Sequence, residues 1–245
     1  MHYDACSFQL DQDPGLWRTT PVAVVDGRGG VVYQAPTAAE VADLMAEVVE
    51  WLDHGDLDAH VAVRGAMAHL HVVSVHPFRD GNGRVSRIVQ SLVLARDALL
   101  SPEFASIEEY LGTHTRDYYD QLQQAHGAAY DPRCDAGAWV TFCVQAHLDQ
   151  ARRRLAQVDE AAKRWGRLER LADERNWPDR FVIAMEQSLF GGCDRTTYAR
   201  EADVSAGTAS SDLRRLVESG LLVQTGQARA TRHAPSDALR AAVAG

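Results

Sequence analysis

The stretch His76-Pro77-Phe78-Arg79-Asp80-Gly81-Asn82-Gly83-Arg84-Val85-Ser86-Arg87 decides how the rest of the chain is read. It follows one apolar stripe (Val63, Ala66, Met67, Leu70, Val73) and leads into another (Val85, Ile88, Val89, Leu92, Val93). Those spacings predict a helix over 59–75, a short loop and a second helix. Pro77 pushes His76 out of the helical region, so the first helix stops there. Gly81-Asn82-Gly83 lies where the loop turns into the helix. Glycines permit positive φ, and N–H groups at a helix N-terminus converge on anions. Arg84 and Arg87, three apart, share a face of the first turn. Cations there oppose the helix dipole, which suits a polyanion held between the arginines and the N–H groups. Asp80, beside so much positive charge, points to Mg²⁺ bridging phosphates. His76, on the same loop, is placed to act as a base. The constellation reads as a nucleoside triphosphate site with a base beside it. It is not a Walker A loop, because GxxxxGK[ST] is absent, and the protein-kinase motifs are absent too.

Upstream, Val22 to Val25 and Val31-Val32-Tyr33 flank Asp26-Gly27-Arg28-Gly29-Gly30, which predicts a β-hairpin. Thr37 with Glu40 three residues on forms a capping box. The helix it starts carries Val41, Leu44, Met45, Val48, Val49 and Leu52 on one face. Downstream, helices are expected over 107–124 and from 135 to about 175, with Gly166 a point where the last one bends or breaks. After Asn176-Trp177-Pro178 the pattern changes to three short helices, near 181–190, 196–202 and 208–218. Two strands follow, 221–225 and 228–233, joined at Gly226-Gln227. That is a winged helix-turn-helix pattern.

At 245 residues, with 46% hydrophobic and 24% charged residues, the chain has ordinary globular composition. Its length suits one large domain or two modest ones. No apolar run approaches the roughly 18 residues of a membrane span, and Met1 to Leu10 show no signal-peptide core. Cys6, Cys134, Cys143 and Cys193 are scattered without a CxxC pair, which fits a reducing cytoplasm rather than a disulfide framework. A net charge of −9 disfavours nonspecific nucleic-acid binding by the whole chain. The Ala- and Arg-rich, Lys-poor composition points to a bacterial gene of high GC content.

The stretch from His76 to Arg87 resembles the signature of the Fic family, HxFx(D/E)GNGRxxR, at every defined position. The resemblance covers roughly residues 14–150. The hairpin ending Val31-Val32-Tyr33 resembles the family's flap, Glu40 to Leu52 its acidic helix before the motif, and Arg116-Asp117-Tyr118-Tyr119 a segment lining the adenine side. It implies a helical core with a β-hairpin flap, and transfer of AMP from ATP to a hydroxyl of a target protein with release of pyrophosphate. Under it, His76 takes the proton from a Ser, Thr or Tyr, and Asp80 holds Mg²⁺ against the α- and β-phosphates. Gly81, Asn82 and Gly83 cradle the phosphates, with Arg84 and Arg87 on the β and γ groups. One of Tyr118 and Tyr119 is core and the other touches the base of the nucleotide. Val31, Val32 and Tyr33 dock the target strand, and Phe78 anchors the loop. A family variant with Lys at the second motif glycine phosphorylates instead, and Gly83 argues against it. Many members carry an inhibitory (S/T)xxxE(G/N) helix whose Glu pairs with the second motif arginine. No Glu here is followed by Gly or Asn, and little chain precedes the flap. Truncation, an inhibitory partner chain and an uninhibited enzyme all stay open, and the pocket beside Arg87 is expected to be unobstructed.

The resulting expectation is a mainly α protein with three parts: an adenylyltransferase core over 14–150, a helical connector over 151–177 and a winged helix-turn-helix domain over 178–245. His69 and His71 lack a third ligand and read as packed helix histidines. The alternative function is a nucleotide-sensing transcription regulator. It would use Ser210, Ser211, Arg214 and Arg215 in the groove and Arg229 and Arg232 on the wing. The acidic residues after Pro178 offset its arginines, so protein contact or homodimerisation, helped by the apolar tail after Pro235, is preferred to DNA.

Overall fold

The computed structural model describes residues 1–96, 106–226 and 231–244. Two compact units emerge, Met1–Arg153 and Arg154–Gly245.

The first unit opens with a short helix, α1 (His2–Cys6), and a 3-10 turn (Leu10–Gln12). Strands β1 (Ala23–Val25) and β2 (Val31–Gln34) then pair antiparallel as the expected hairpin, with an irregularity between Val24 and Val25. Asp26 Oδ1 accepts from the N–H groups of Arg28 and Gly30 and so shapes the turn. Helix α2 (Val41–His54) begins later than the capping box suggests. The Glu40 carboxylate still accepts from the Thr37 N–H and hydroxyl, and the intervening residues form a turn rather than helix.

Helix α3 (Val61–Val75) is the axis of the unit. One side, through Ala68, Val72 and Val75, joins Val41 and Val48 of α2 and Val85 and Val89 of α4 (Asn82–Arg96). The other, through Ala66, Leu70 and Val73, meets α5 (Glu108–Thr113), α6 (Thr115–His126) and α7 (Gly137–Glu174), with Trp139 fully buried among them. A helix sandwiched in this way is apolar on both sides, and its end is held fixed.

The single helix expected over 107–124 is two helices. At His114 the backbone leaves helical geometry (φ −120°, ψ 37°). Thr113 Oγ1, His114 Nδ1 and Thr115 Oγ1 satisfy carbonyls of the preceding turn there. Such side-chain bonds compete with the helical ladder. By contrast, α7 runs through Gly166 without interruption.

The second unit contains α8 (Arg180–Leu189), α9 (Arg195–Glu201), α10 (Ala206–Glu218), the antiparallel pair β3 (Leu222–Thr225) and β4 (Arg232–Pro235), and α11 (Asp237–Val243). Ser205 caps α10, accepting from the Thr208 N–H, so that helix starts earlier than 208. The core takes Leu168 and Ala172 from the end of α7, together with Phe181, Met185, Tyr198, Leu213, Leu216 and Leu239. One reading therefore changes: the tail after Pro235 is a helix that inserts Leu239 into the core rather than a free apolar face. Asp212, 6% exposed, is neutralised by a two-pronged bond from Arg180 and one from the Tyr198 hydroxyl. Arg214 and Arg215 are both exposed, and the Arg215 guanidinium lies over the Trp177 and Phe181 rings. Arg229 lies outside the described residues.

Candidate active site

Helix α3 ends on His76, which adopts φ 51°, ψ 56°. The helix stops where Pro77 predicted, but in the left-handed region, which is strained for a residue with a side chain. The imidazole Nδ1 lies 3.1 Å from the Val73 carbonyl. A carbonyl only accepts, so Nδ1 carries the ring proton and Nε2 keeps its lone pair. Burial is the main cause of a pKa below the ordinary histidine value; Arg18 pushes the same way, and the Val73 carbonyl and Asp80 oppose it. The ring is therefore neutral near pH 7, the form a base needs.

The loop after it is braced from within. Asn82, 3% exposed, accepts from the Phe78 N–H through Oδ1 and donates to the Phe78 carbonyl through Nδ2, both at 2.9 Å. Its side chain is thus spent on the loop, which leaves its backbone for any ligand. Phe78 is buried against α2, α3 and α4, as an anchor should be. Gly81 has φ 81°, and a Cβ there would meet Cys6 Sγ at 2.5 Å and His2 Nε2 at 3.2 Å. Only glycine fits. Helix α4 starts at Asn82, so the N–H groups of its first turn have no intrahelical acceptor.

These residues line a cleft of about 770 Å³. Its walls are the loop (Arg79 to Arg84), Arg87, the hairpin (Val22 to Gly27, Val32, Tyr33) and α6 (Tyr118 to His126). The volume is that of a small-molecule site. His76, Asp80, Gly81, Asn82, Gly83, Arg84, Arg87, Tyr118, Tyr119, Val32 and Tyr33 all border it; Val31 is not among the lining residues and is 62% exposed on β2. Tyr33 is 3% exposed, and its hydroxyl donates to the Ser74 carbonyl at 2.6 Å, so it ties the hairpin to α3. Tyr118 is buried and Tyr119 is 58% exposed. The Tyr118 hydroxyl donates to His69 Nε2, and His69 Nδ1 donates to Gln90 Oε1. Burial pushes Tyr118 up to about 12 and His69 down to about 4.

The arginines are occupied. Arg84 Nη2 bonds Asp80 Oδ2 at 2.8 Å and Gln9 Oε1 at 2.9 Å, Nη1 reaches the Ala5 carbonyl, and the Phe8 ring lies 5.1 Å away. Arg87 Nε bonds Glu108 Oε1 at 2.6 Å. Arg87 still lines the cleft, and Glu108 is not among the lining residues. The glutamate is followed by Glu109, so no motif of the E(G/N) kind marks it.

Sequence reasoning also missed three contributors. His2 stacks on Phe78, with ring centroids 3.6 Å apart, accepts from the Gly15 N–H and bonds the Asp80 carbonyl. Arg18 gathers backbone carbonyls around His76. His126 borders the cleft with its Nε2 unpartnered, pushed down to about 4 by burial and by His76. None has a local spacing signal, since each meets the site through tertiary contact. Among the described residues no group of three His, Cys, Asp or Glu side chains could enclose a metal. Asp80, half-exposed, is the one carboxylate the loop offers.

A helical core thus sets a braced loop beside a neutral imidazole, with a β-hairpin along the same cleft. Residues 2–94, under half of the chain, match the Fic/DOC family model. The chain is 34% identical over 112 residues to protein adenylyltransferase fic-1 of Caenorhabditis elegans, covering 44% of this chain and 21% of that protein. It is 34% identical over 136 residues to the protein adenylyltransferase Fic of Culex quinquefasciatus, covering 55% and 24%. It thus spans about a quarter or less of the length of these relatives. A crystal structure of a Fic family protein from Desulfovibrio desulfuricans G20 superimposes with a TM-score of 0.58 at 22% identity, over 96% of this chain and 66% of that one, which extends the likeness in fold to both units.

Proposed function

We propose that the chain is a protein adenylyltransferase, transferring AMP from ATP to a Ser, Thr or Tyr hydroxyl of a target protein and releasing pyrophosphate. The observation that carries this reading is His76: a neutral imidazole with Nδ1 tied to a carbonyl and Nε2 free, on the rim of a cleft that opens on the N-terminus of α4. In this reading His76 Nε2 takes the hydroxyl proton as the oxygen attacks the α-phosphorus, and the α–β bridging oxygen leaves with pyrophosphate. The first-turn N–H groups, Arg84 and Arg87 hold the phosphates in line, and such positioning and charge neutralisation supply most of the catalysis in phosphoryl-type transfer. Tyr119 lies against the base, Tyr118 sits behind it in the core, and the hairpin edge aligns a target strand through backbone bonds. Asp80, with one carboxylate oxygen on Arg84, suits Mg²⁺, which takes one or two carboxylates and completes its shell from phosphates and water. Bound there, the ion would neutralise phosphate charge. The second unit reads as a winged helix for protein contact. Arg215, though exposed, lies over the Trp177 and Phe181 rings, and a DNA contact would have to draw it off them.

The test is incubation of the purified chain with a lysate of its host and ATP labelled at either the α- or the γ-phosphate. Protein labelling from the α position alone is expected. His76→Ala should lower it at least about 10²-fold while ATP affinity persists. Labelling from the γ position, or full transfer by His76→Ala, would refute the reading.

A further inference from the structure

Arg18 is 2% exposed, and its guanidinium is spent on backbone carbonyls. Nε donates to the His76 carbonyl at 2.7 Å, and Nη2 to those of Pro36 at 2.6 Å and Val75 at 3.4 Å. Nη1 donates to Thr20 at 3.2 Å, and the Arg18 N–H to Pro77 at 2.9 Å. The acceptors fall into two groups. Val75, His76 and Pro77 are three consecutive carbonyls at the end of α3, where the helix dipole is negative and a cation is favoured. Thr20 and Pro36 are the two feet of the hairpin, one before β1 and one after β2. Burying a cation whose hydrogen bonds go to neutral carbonyls is costly, and a planar fork of five donors is what can serve so many acceptors at once.

We propose that Arg18 is a positioning residue for the transfer reaction, locking the strained His76 backbone and the feet of the flap into one register. The proposal rests on the adenylyltransferase reading for the reaction it serves. The flap fixes where a target hydroxyl lies and His76 fixes where its proton goes. Displacing one against the other by about 1 Å is worth on the order of 10²-fold in rate. The phosphate-holding groups, which begin at Asp80, do not bond Arg18.

The experiment compares wild type, Arg18→Lys and Arg18→Met. Transfer kinetics should show kcat reduced by about 10²-fold in both variants, with KM for ATP nearly unchanged. Lysine should not rescue, because a single ammonium cannot reproduce the fork. Hydrogen exchange read by mass spectrometry should quicken across residues 20–36 and leave 81–87 protected. This arm needs no activity, so if wild type transfers no AMP to any target the functional reading fails while the exchange result still decides the role of Arg18. Should Arg18→Met not fold, Arg18→Lys carries both measurements. Rescue of kcat by lysine, equal losses in kcat and ATP binding, or unchanged exchange over 20–36 would each overturn the proposal.

Discussion

At the scale of single residues, charge already paired inside the protein is charge a ligand must win. Arg87 and Glu108 form an ion pair whose side chains are 24% and 56% exposed. A pair that open to water contributes only about 0.2–1 kcal/mol. Glu108→Ala should therefore raise ATP affinity by up to about five-fold, and transfer at low ATP should rise with it; calorimetry and initial rates check both. No gain in either would mean that the pair opens freely when nucleotide enters. The contrast between Arg87 and Glu108 also shows what the sequence can carry. His76, Asp80, Gly81 and Arg87 sit within one short stretch, so their chemistry is legible from spacing alone. Glu108 lies 21 residues from its partner. It reaches Arg87 only because α5 packs on α3, and no pattern of neighbours announces that.

At the scale of elements, the first helix was the least legible. Five residues without a strong stripe say little, and the sequence pattern starts the core only at residue 14. Yet α1 lies on the motif loop: His2 covers Phe78 and bonds the Asp80 carbonyl, Cys6 abuts Gly81, and Ala5 and Gln9 hold Arg84. The hairpin, α2, α3 and α4 were readable because their periodicity and turn chemistry are local. The strap over the loop was not, because its partners lie more than seventy residues away. His2→Ala would remove an aromatic stack worth about 0.5–1.5 kcal/mol and buried hydrogen bonds of about 0.5–1.5 kcal/mol. A loss of about 2 kcal/mol is expected, seen as a lower Tm. ATP affinity should weaken as well, since the loop that turns into α4 loses its cover. A variant with wild-type Tm and wild-type ATP affinity would show that the strap is ornamental.

At the scale of the whole molecule, the histidines make the first unit acid-labile. His69 and His126 are pushed down to about 4, and His71, His76 and His147 lie below the ordinary value, in each case chiefly because burial disfavours the charged ring. In the unfolded chain these rings titrate near pH 6.5. Between the two values the unfolded state binds more protons, so stability falls as pH falls. The contribution is complete above about pH 6.5 and is lost progressively towards pH 4, with His69 and His126 each worth at most on the order of 3 kcal/mol. The two units can be followed separately. The Trp139 ring lies 5.0 Å from that of His69 in the first unit, and Trp177 packs against Phe181 in the second. In chains that retain only one of these tryptophans, the urea midpoint reported by Trp139 should drop between pH 7 and pH 5, with that reported by Trp177 changing less. His126→Phe keeps a ring beside Tyr33 and removes one of the titrating groups, so it should flatten the pH dependence seen by Trp139. A Trp139 midpoint that stays level across this range, or a His126→Phe protein with an unaltered slope, would mean that water reaches these rings and that their burial does not hold them neutral.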